Sequence, residues 1–432
     1  MALGLPGAYL TGLVCSTAAS SVLVRRFGSR SVLMFAIAIM AAANIAAVGM
    51  SGNFNLLAAL IFVQGLASGP IPPLMQKLVA DSFPAEKKGT GMAIWQGSLT
   101  IGAMLGGLIG GFIISNLGPA WIFILMPVFA VPAMIIVMYR ATSVKNEALK
   151  VDLTGLFFLV GTVLCLTLFL NLGSHLGWFH SPLVTAFAIG AVVFGLMLSW
   201  TLNRDLDHAI DLRVLQNRDL AIGIVMVMVF FGITSGHIQN QMLVAVFDFG
   251  PDQIAQRVGW GGPVRLAGVI LCGFLAAYFS IKRLAFIAIT LVLLGKFGYV
   301  LWQPGLTTSD AVLPFLIESL GAGMFMVCLA ALAYQTLGPH QTAAAASIYV
   351  LSQRLGSNIG LAVLDAAESI QQSSLAAAGL TLDEARGAAF LGISWIELIV
   401  CLNMVLGIYL FQRIRPKHAK PIKRKEKLRD QA

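Results

Sequence analysis

Apolar stretches long enough to cross a bilayer recur along the whole chain, each followed by a short connection rich in polar residues, glycine or proline. At a rise of 1.5 Å per residue, about 20 apolar residues cover a hydrocarbon layer of roughly 30 Å. The pattern predicts thirteen spanning helices, at residues 6–24, 31–50, 55–79, 90–116, 120–139, 153–172, 181–202, 220–247, 262–280, 283–302, 311–336, 343–366 and 388–412. The expected fold class is all-α, a polytopic membrane protein. Pro70, Pro72 and Pro73 remove backbone donors within the third span and predict a bend there.

Composition agrees. Of 432 residues, 58% are hydrophobic and 11% charged, with a mean hydropathy of +0.86, which excludes a water-soluble domain. The net charge of +9 reads first as a topology signal, not as a sign of nucleic-acid binding, because nine of the 28 basic residues lie between Arg413 and Arg429. With that tail in the cytoplasm, 23 of the 28 fall on the inner side, including Arg25, Arg26 and Arg30, Lys77, Lys87 and Lys88, and Lys282 and Arg283. Arg257, Arg265 and Arg386 are then assigned to the outside. The tail also suits anionic lipid headgroups, so membrane lipid is an expected partner.

The loops divide the chain into a helical half at 1–140, two linking spans and their loops at 141–219, a second half at 220–412, and the basic tail at 413–432. Residues 367–385 are polar and slightly acidic, and read as an outer surface turn or short amphipathic helix. The five cysteines, Cys15, Cys165, Cys272, Cys328 and Cys401, lack paired spacing and read as small core residues, with neither a metal site nor a disulfide framework. No cofactor motif and no hydrolase or phosphate-loop motif lies in the spans, so an enzyme is not expected.

Motifs narrow the reading. Gln64-Gly65 is followed by Pro70-Ile71-Pro72-Pro73, Phe83-Pro84-Ala85-Glu86-Lys87-Lys88-Gly89, Ala93-Ile94-Trp95, a glycine-rich run from Gly102 to Gly111, and Trp121-Ile122-Phe123. This order resembles the fourteen-helix drug:proton antiporter branch of the major facilitator superfamily, the EmrB/QacA type. Gly321 to Met324 and Arg354-Leu355-Gly356 extend the likeness into the second half. The resemblance implies two helical halves plus two linking helices, with the thirteen spans as family helices two to fourteen and helix one expected upstream of Met1. It also implies export of amphipathic, hydrophobic or cationic small molecules by alternating access, with proton coupling. The implied setting is the inner membrane of a double-membrane bacterium, with a periplasmic adaptor of the EmrA type and an outer-membrane channel. The chain departs from the family pattern in three places. The family's loop between helices two and three maps onto Arg25, Arg26, Gly28 and Arg30 with a basic residue for its aspartate, Ile61 replaces an arginine, and Gly107 replaces a proline. A second reading stays open beside the exporter: a non-transporting membrane scaffold or sensor derived from a transporter.

Ionisable groups deep in spans are functional candidates by default, since a charge there is costly unless paired or wet. Glu318 and Glu397 are the candidate proton-coupling carboxylates. The alternative for Glu318 is a structural ion pair with Lys296 or Arg354; for Glu397 it is simple packing. Thr234, His237 and Gln241 form one polar stripe on the eighth span, with His237 either a proton relay or a neutral hydrogen-bonded histidine. Gln64, Gln96, Thr234, Gln241 and Arg354 are candidates to line a substrate cavity; interhelical hydrogen bonding equally explains the two glutamines of the first half. Gly102, Gly106 and Gly110, with Gly107 and Gly111 beside them, form a small-residue ladder that fits either generic close packing or a seal between the halves.

Overall fold

The computed structural model describes residues 4–50, 52–84, 87–140, 153–202, 212–234, 237–302, 307–338, 341–377, 379 and 381–411. They form α1 (Gly4–Phe27), α2 (Ser29–Gly49), α3 (Phe54–Ser68), α4 (Ile71–Ser82), α5 (Lys88–Asn116), α6 (Ile122–Arg140), α7 (Leu153–Leu176) and α8 (Pro182–Leu202). The order continues with α9 (Arg218–Ile233), α10 (His237–Ala245), α11 (Pro251–Leu275), α12 (Ile281–Val300), α13 (Thr308–Tyr334), α14 (Thr342–Ala377) and α15 (Leu382–Leu410). Among the described residues there is no strand, and nine stretches are long and apolar enough to cross a membrane.

The thirteen predicted spans are these fifteen helices with two of them broken. The third divides into α3 and α4 at the proline cluster, where Pro70 is the N-cap and the missing amides fall in a first turn that has no intrahelical acceptors to lose. The eighth divides at Thr234, whose φ of −105° and ψ of 16° end α9.

Two boundaries differ from expectation for local reasons. α14 runs on to Ala377, thirty-six residues in all, because the segment read as a surface turn or short amphipathic helix is rich in alanine and glutamine and holds no breaker before Gly379, where φ is +92°, so it continues the span instead of standing apart. α11 starts at Pro251, eleven residues before the predicted span, with proline in the first turn and Gln253 bonding back to the Gly250 amide. Arg257, assigned to an outer connection, therefore lies inside the bundle and is buried.

α1, α2, α3, α4 and α6 pack with one another, as do α9 and α11 to α15, while α7, paired with α8, lies against α1 and α14. The two groups meet through α5 against α11 and α13, and through α1 and α4 against α14. In the first group the closest crossing needs glycine: a Cβ at Gly65 would stand 2.1 Å from the Tyr9 carbonyl oxygen, and one at Gly12 would stand 2.3 Å from that of Phe62. The largest apolar core lies among α9 and α11 to α15.

Candidate functional site

The deepest polar structure is built around Lys296 on the buried face of α12, which also carries Val292, Gly295 and Tyr299. Gly295 lets α13 come close, since a Cβ there would meet Glu318 Cβ at 2.7 Å. The Lys296 ammonium lies 3.1 Å from Glu318 Oε1 on α13 and 2.8 Å from Glu397 Oε2 on α15. It also donates to the Ile233 carbonyl at 2.7 Å. That acceptor is available because α9 ends there, which leaves its last carbonyls without intrahelical donors.

A second layer fixes the carboxylates. Gln239 on α10 donates to Glu397 Oε2 at 2.7 Å, and the Tyr299 hydroxyl donates to Glu318 Oε2 at 2.5 Å. Arg257 donates to the Tyr299 hydroxyl at 3.3 Å and to the Asn240 side-chain oxygen, and its guanidinium stands 4.3 Å from the centre of the Phe315 ring. Glu318 and Tyr299 also act electrostatically on Arg265 of α11. Glu318, Glu397, Lys296 and Arg257 are all buried, and their formal charges cancel. Buried ions are tolerated on this condition, and removing one member leaves another uncompensated. Chemically, either carboxylate can accept a proton while Lys296 keeps the other as its partner.

Of the sequence candidates, the structure joins Glu318 and Glu397 through Lys296. Arg354 takes no part in this ion cluster and interacts with Tyr9 of α1. Thr234 lies at the α9 break, its hydroxyl bonded to the Phe230 carbonyl at 2.7 Å. His237 and Gln241 lie on α10, but their side chains fall outside the described residues. Gln64 and Gln96 are buried on α3 and α5; Gln64 Nε2 has no hydrogen-bond partner among the described residues. Gly28 turns the chain between α1 and α2 with φ of 80°, a conformation that favours glycine, and Arg26 and Arg30 are exposed beside it; the Arg25 side chain is not described. The glycine ladder is not a close-packing seam: a Cβ at Gly102 or Gly106 would meet nothing within 4 Å, and one at Gly110 only Ile122 at 3.4 Å. Gly107 and Gly111 lie on the same helix, outside the residues whose surroundings are described. Reading the sequence missed Tyr299, Gln239, Asn240 and the burial of Arg257. The pairing of Cys272 and Cys328, free thiols 3.3 Å apart, was equally hidden by their separation along the chain.

The two helix groups are also latched at the end of the bundle that carries Lys77, Lys88 and Lys282. Lys88 at the start of α5 donates to the Tyr334 carbonyl at 2.6 Å, Thr342 donates to Asp81 at 2.8 Å, and Ser20 and Ser347 share a hydrogen bond of 2.8 Å. There is a contrast along α5: residues 91–93 and 95–97 near this basic end are buried, whereas 101–103, 105 and 106 are exposed, with Met104 between them still against α11 at Gly262. The polar bonds between the groups thus lie at the basic end, and α5 becomes more exposed away from it.

A helical bundle of two groups, latched at one end and holding a buried charge cluster, is the architecture of a membrane transporter. The chain belongs to the Major Facilitator Superfamily, whose family model matches residues 2–361. It is 26% identical to the "Multidrug export protein EmrB" of Haemophilus influenzae, over 72% of this chain and 62% of that protein. It is likewise 26% identical to the EmrB of Escherichia coli K12, over 79% of this chain and 67% of that one. It thus spans between three fifths and two thirds of the length of these relatives. Among solved structures, the human organic anion transporter MFSD10 superposes with a TM-score of 0.63 at 16% identity, over 95% of this chain and 83% of that one, which speaks to the fold alone.

Proposed function

We propose that this chain is an exporter of amphipathic or hydrophobic small molecules that works by alternating access between its two helix groups, driven by proton influx. The similarity to two multidrug export proteins supports the export direction. The observation that carries the mechanism is the single buried ammonium of Lys296 shared by two carboxylates on different helices. Protonating Glu318 or Glu397 releases one arm of the bridge and so loosens α12 from α13 or from α15. That gives a proton a mechanical effect without requiring it to meet the substrate.

On this reading the halves are residues 1–140 and 220–412, and the latched basic end faces the cytoplasm, as the bias of lysine and arginine requires. The polar latch is then inward, and the more exposed part of α5 outward. The inner membrane, a cytoplasmic C-terminus, and a periplasmic adaptor with an outer-membrane channel complete the proposal. The test is accumulation of a fluorescent amphiphile in cells. Cells expressing the protein are expected to accumulate several-fold less than cells without it, and Glu318→Gln and Glu397→Gln are expected to abolish the difference while the protein stays in the membrane. Equal accumulation with and without the parent protein ends the proposal.

A further inference from the structure

The interior of α9 to α15 holds more positive charge than its ion cluster uses. Lys296 and Arg257 are balanced by Glu318 and Glu397, which leaves Arg265 and Arg354. Neither makes a hydrogen bond or an ion pair among the described residues. Arg265 is half-buried and feels the field of Glu318, a carboxylate already committed to Lys296. Arg354 is exposed, near the middle of a helix of thirty-six residues, and faces the other helix group: Tyr9 of α1 is its electrostatic neighbour. One turn away the buried Leu351 belongs to one apolar cluster with Leu13 and Val14 of α1, and two turns away Ser347 bonds Ser20. Asp365, the nearest carboxylate along α14, stands eleven residues further on, about 16 Å at helical rise, with Glu368 beyond it.

A guanidinium at this depth is costly unless it is paired or wet. Of the helices outside its own group that pack on α14, α1 before Arg25 and α7 carry no Asp, Glu, Lys or Arg, and the Lys77 and Asp81 of α4 lie at the basic end. Arg354 therefore offers a planar, doubly donating cation to the space between the groups, beside the partly buried apolar surfaces of Tyr9 and Leu355. We infer that the exporter's substrates are amphipathic organic anions, with Arg354 receiving the carboxylate or sulfonate head and Arg265 adding long-range attraction. The fit is chemical: guanidinium forks bind such heads through paired hydrogen bonds, and an apolar body matches these surfaces. The inference rests on the exporter reading and narrows its substrate class.

The test uses the full chain in nanodiscs of phosphatidylcholine, with 11-(dansylamino)undecanoic acid and its methyl ester as probes, binding read by dansyl fluorescence and efflux read separately in cells. The acid is expected to bind about tenfold or more tightly than the ester, a ratio set by a charge-assisted hydrogen bond. Arg354→Gln is expected to erase that preference and Arg354→Lys to keep part of it, with ester binding unchanged in both. Equal binding of acid and ester by the parent, or an acid preference that survives Arg354→Gln, overturns the inference; if both probes are still exported, the exporter reading stands. Loss of the preference when phosphatidylglycerol is added would assign Arg354 to lipid headgroups and overturn it too. Failure of the monodisperse protein to bind or export either probe would overturn both readings.

Discussion

The two helix groups solve the same packing problem with different chemistry. The first keeps its charged residues, Arg25, Arg26, Arg30, Lys77, Asp81 and Lys88 among them, toward the basic end of its helices and is drawn together by backbones touching at Gly12 and Gly65. The second also uses glycine, with a Cβ at Gly323 only 2.1 Å from the Arg265 carbonyl, but adds four buried charges that join α11, α12, α13 and α15. Close van der Waals contact has one good arrangement, whereas an ion cluster has as many arrangements as it has protonation states. The first group is suited to be a rigid wall and the second to be a switch.

The largest expected break in this comparison comes from Lys296→Met, which strands two buried carboxylates. It should cost about 3–5 kcal/mol of stability, seen as a lowered thermal midpoint of the purified protein. Combining it with Glu318→Gln and Glu397→Gln should recover most of that loss, because no uncompensated charge then remains; failure to recover would mean that Lys296 matters for packing and not for charge. Next, Gly65→Val places atoms onto the Tyr9 carbonyl and should cost about 2–3 kcal/mol by forcing α1 from α3. No neutralising partner substitution rescues it, which separates the two modes of cohesion. The smallest effect is expected from Lys88→Met at the rim, roughly 1.5 kcal/mol for losing a hydrogen bond from a charged donor. It should appear mainly as increased reactivity of a cysteine placed at Ser347 toward a maleimide added from the cytoplasmic side, with the thermal midpoint little changed.

The number of spans, the bend at the prolines and the importance of Lys296, Glu318 and Glu397 were legible because each is a local departure from an apolar background. A Lys296–Glu318 ion pair stood among the alternatives, but the bond from Lys296 to Glu397 did not, since 101 residues separate them and helix order says nothing about which faces meet. Tyr299 and Gln239 are ordinary residues in apolar runs, and only the partner across the bundle marks them. Arg257 was lost to a boundary: a start eleven residues too late turned a buried cation into a loop residue. The Thr234 break had a signal in Gly232, Ser235 and Gly236, but the apolar run on either side outweighed it. The glycine ladder failed for the opposite reason, as small-residue spacing permits close approach without requiring it in every conformation.

Alternating access between a rigid wall and a switch requires the basic-end latch to open in each cycle. Ser20 and Ser347, whose hydroxyls are 2.8 Å apart across the two groups, allow the most direct test. In a background with the native cysteines replaced, Ser20→Cys with Ser347→Cys should lose efflux when oxidised to a disulfide and regain it on reduction. Full-rate efflux by the cross-linked protein would contradict the account.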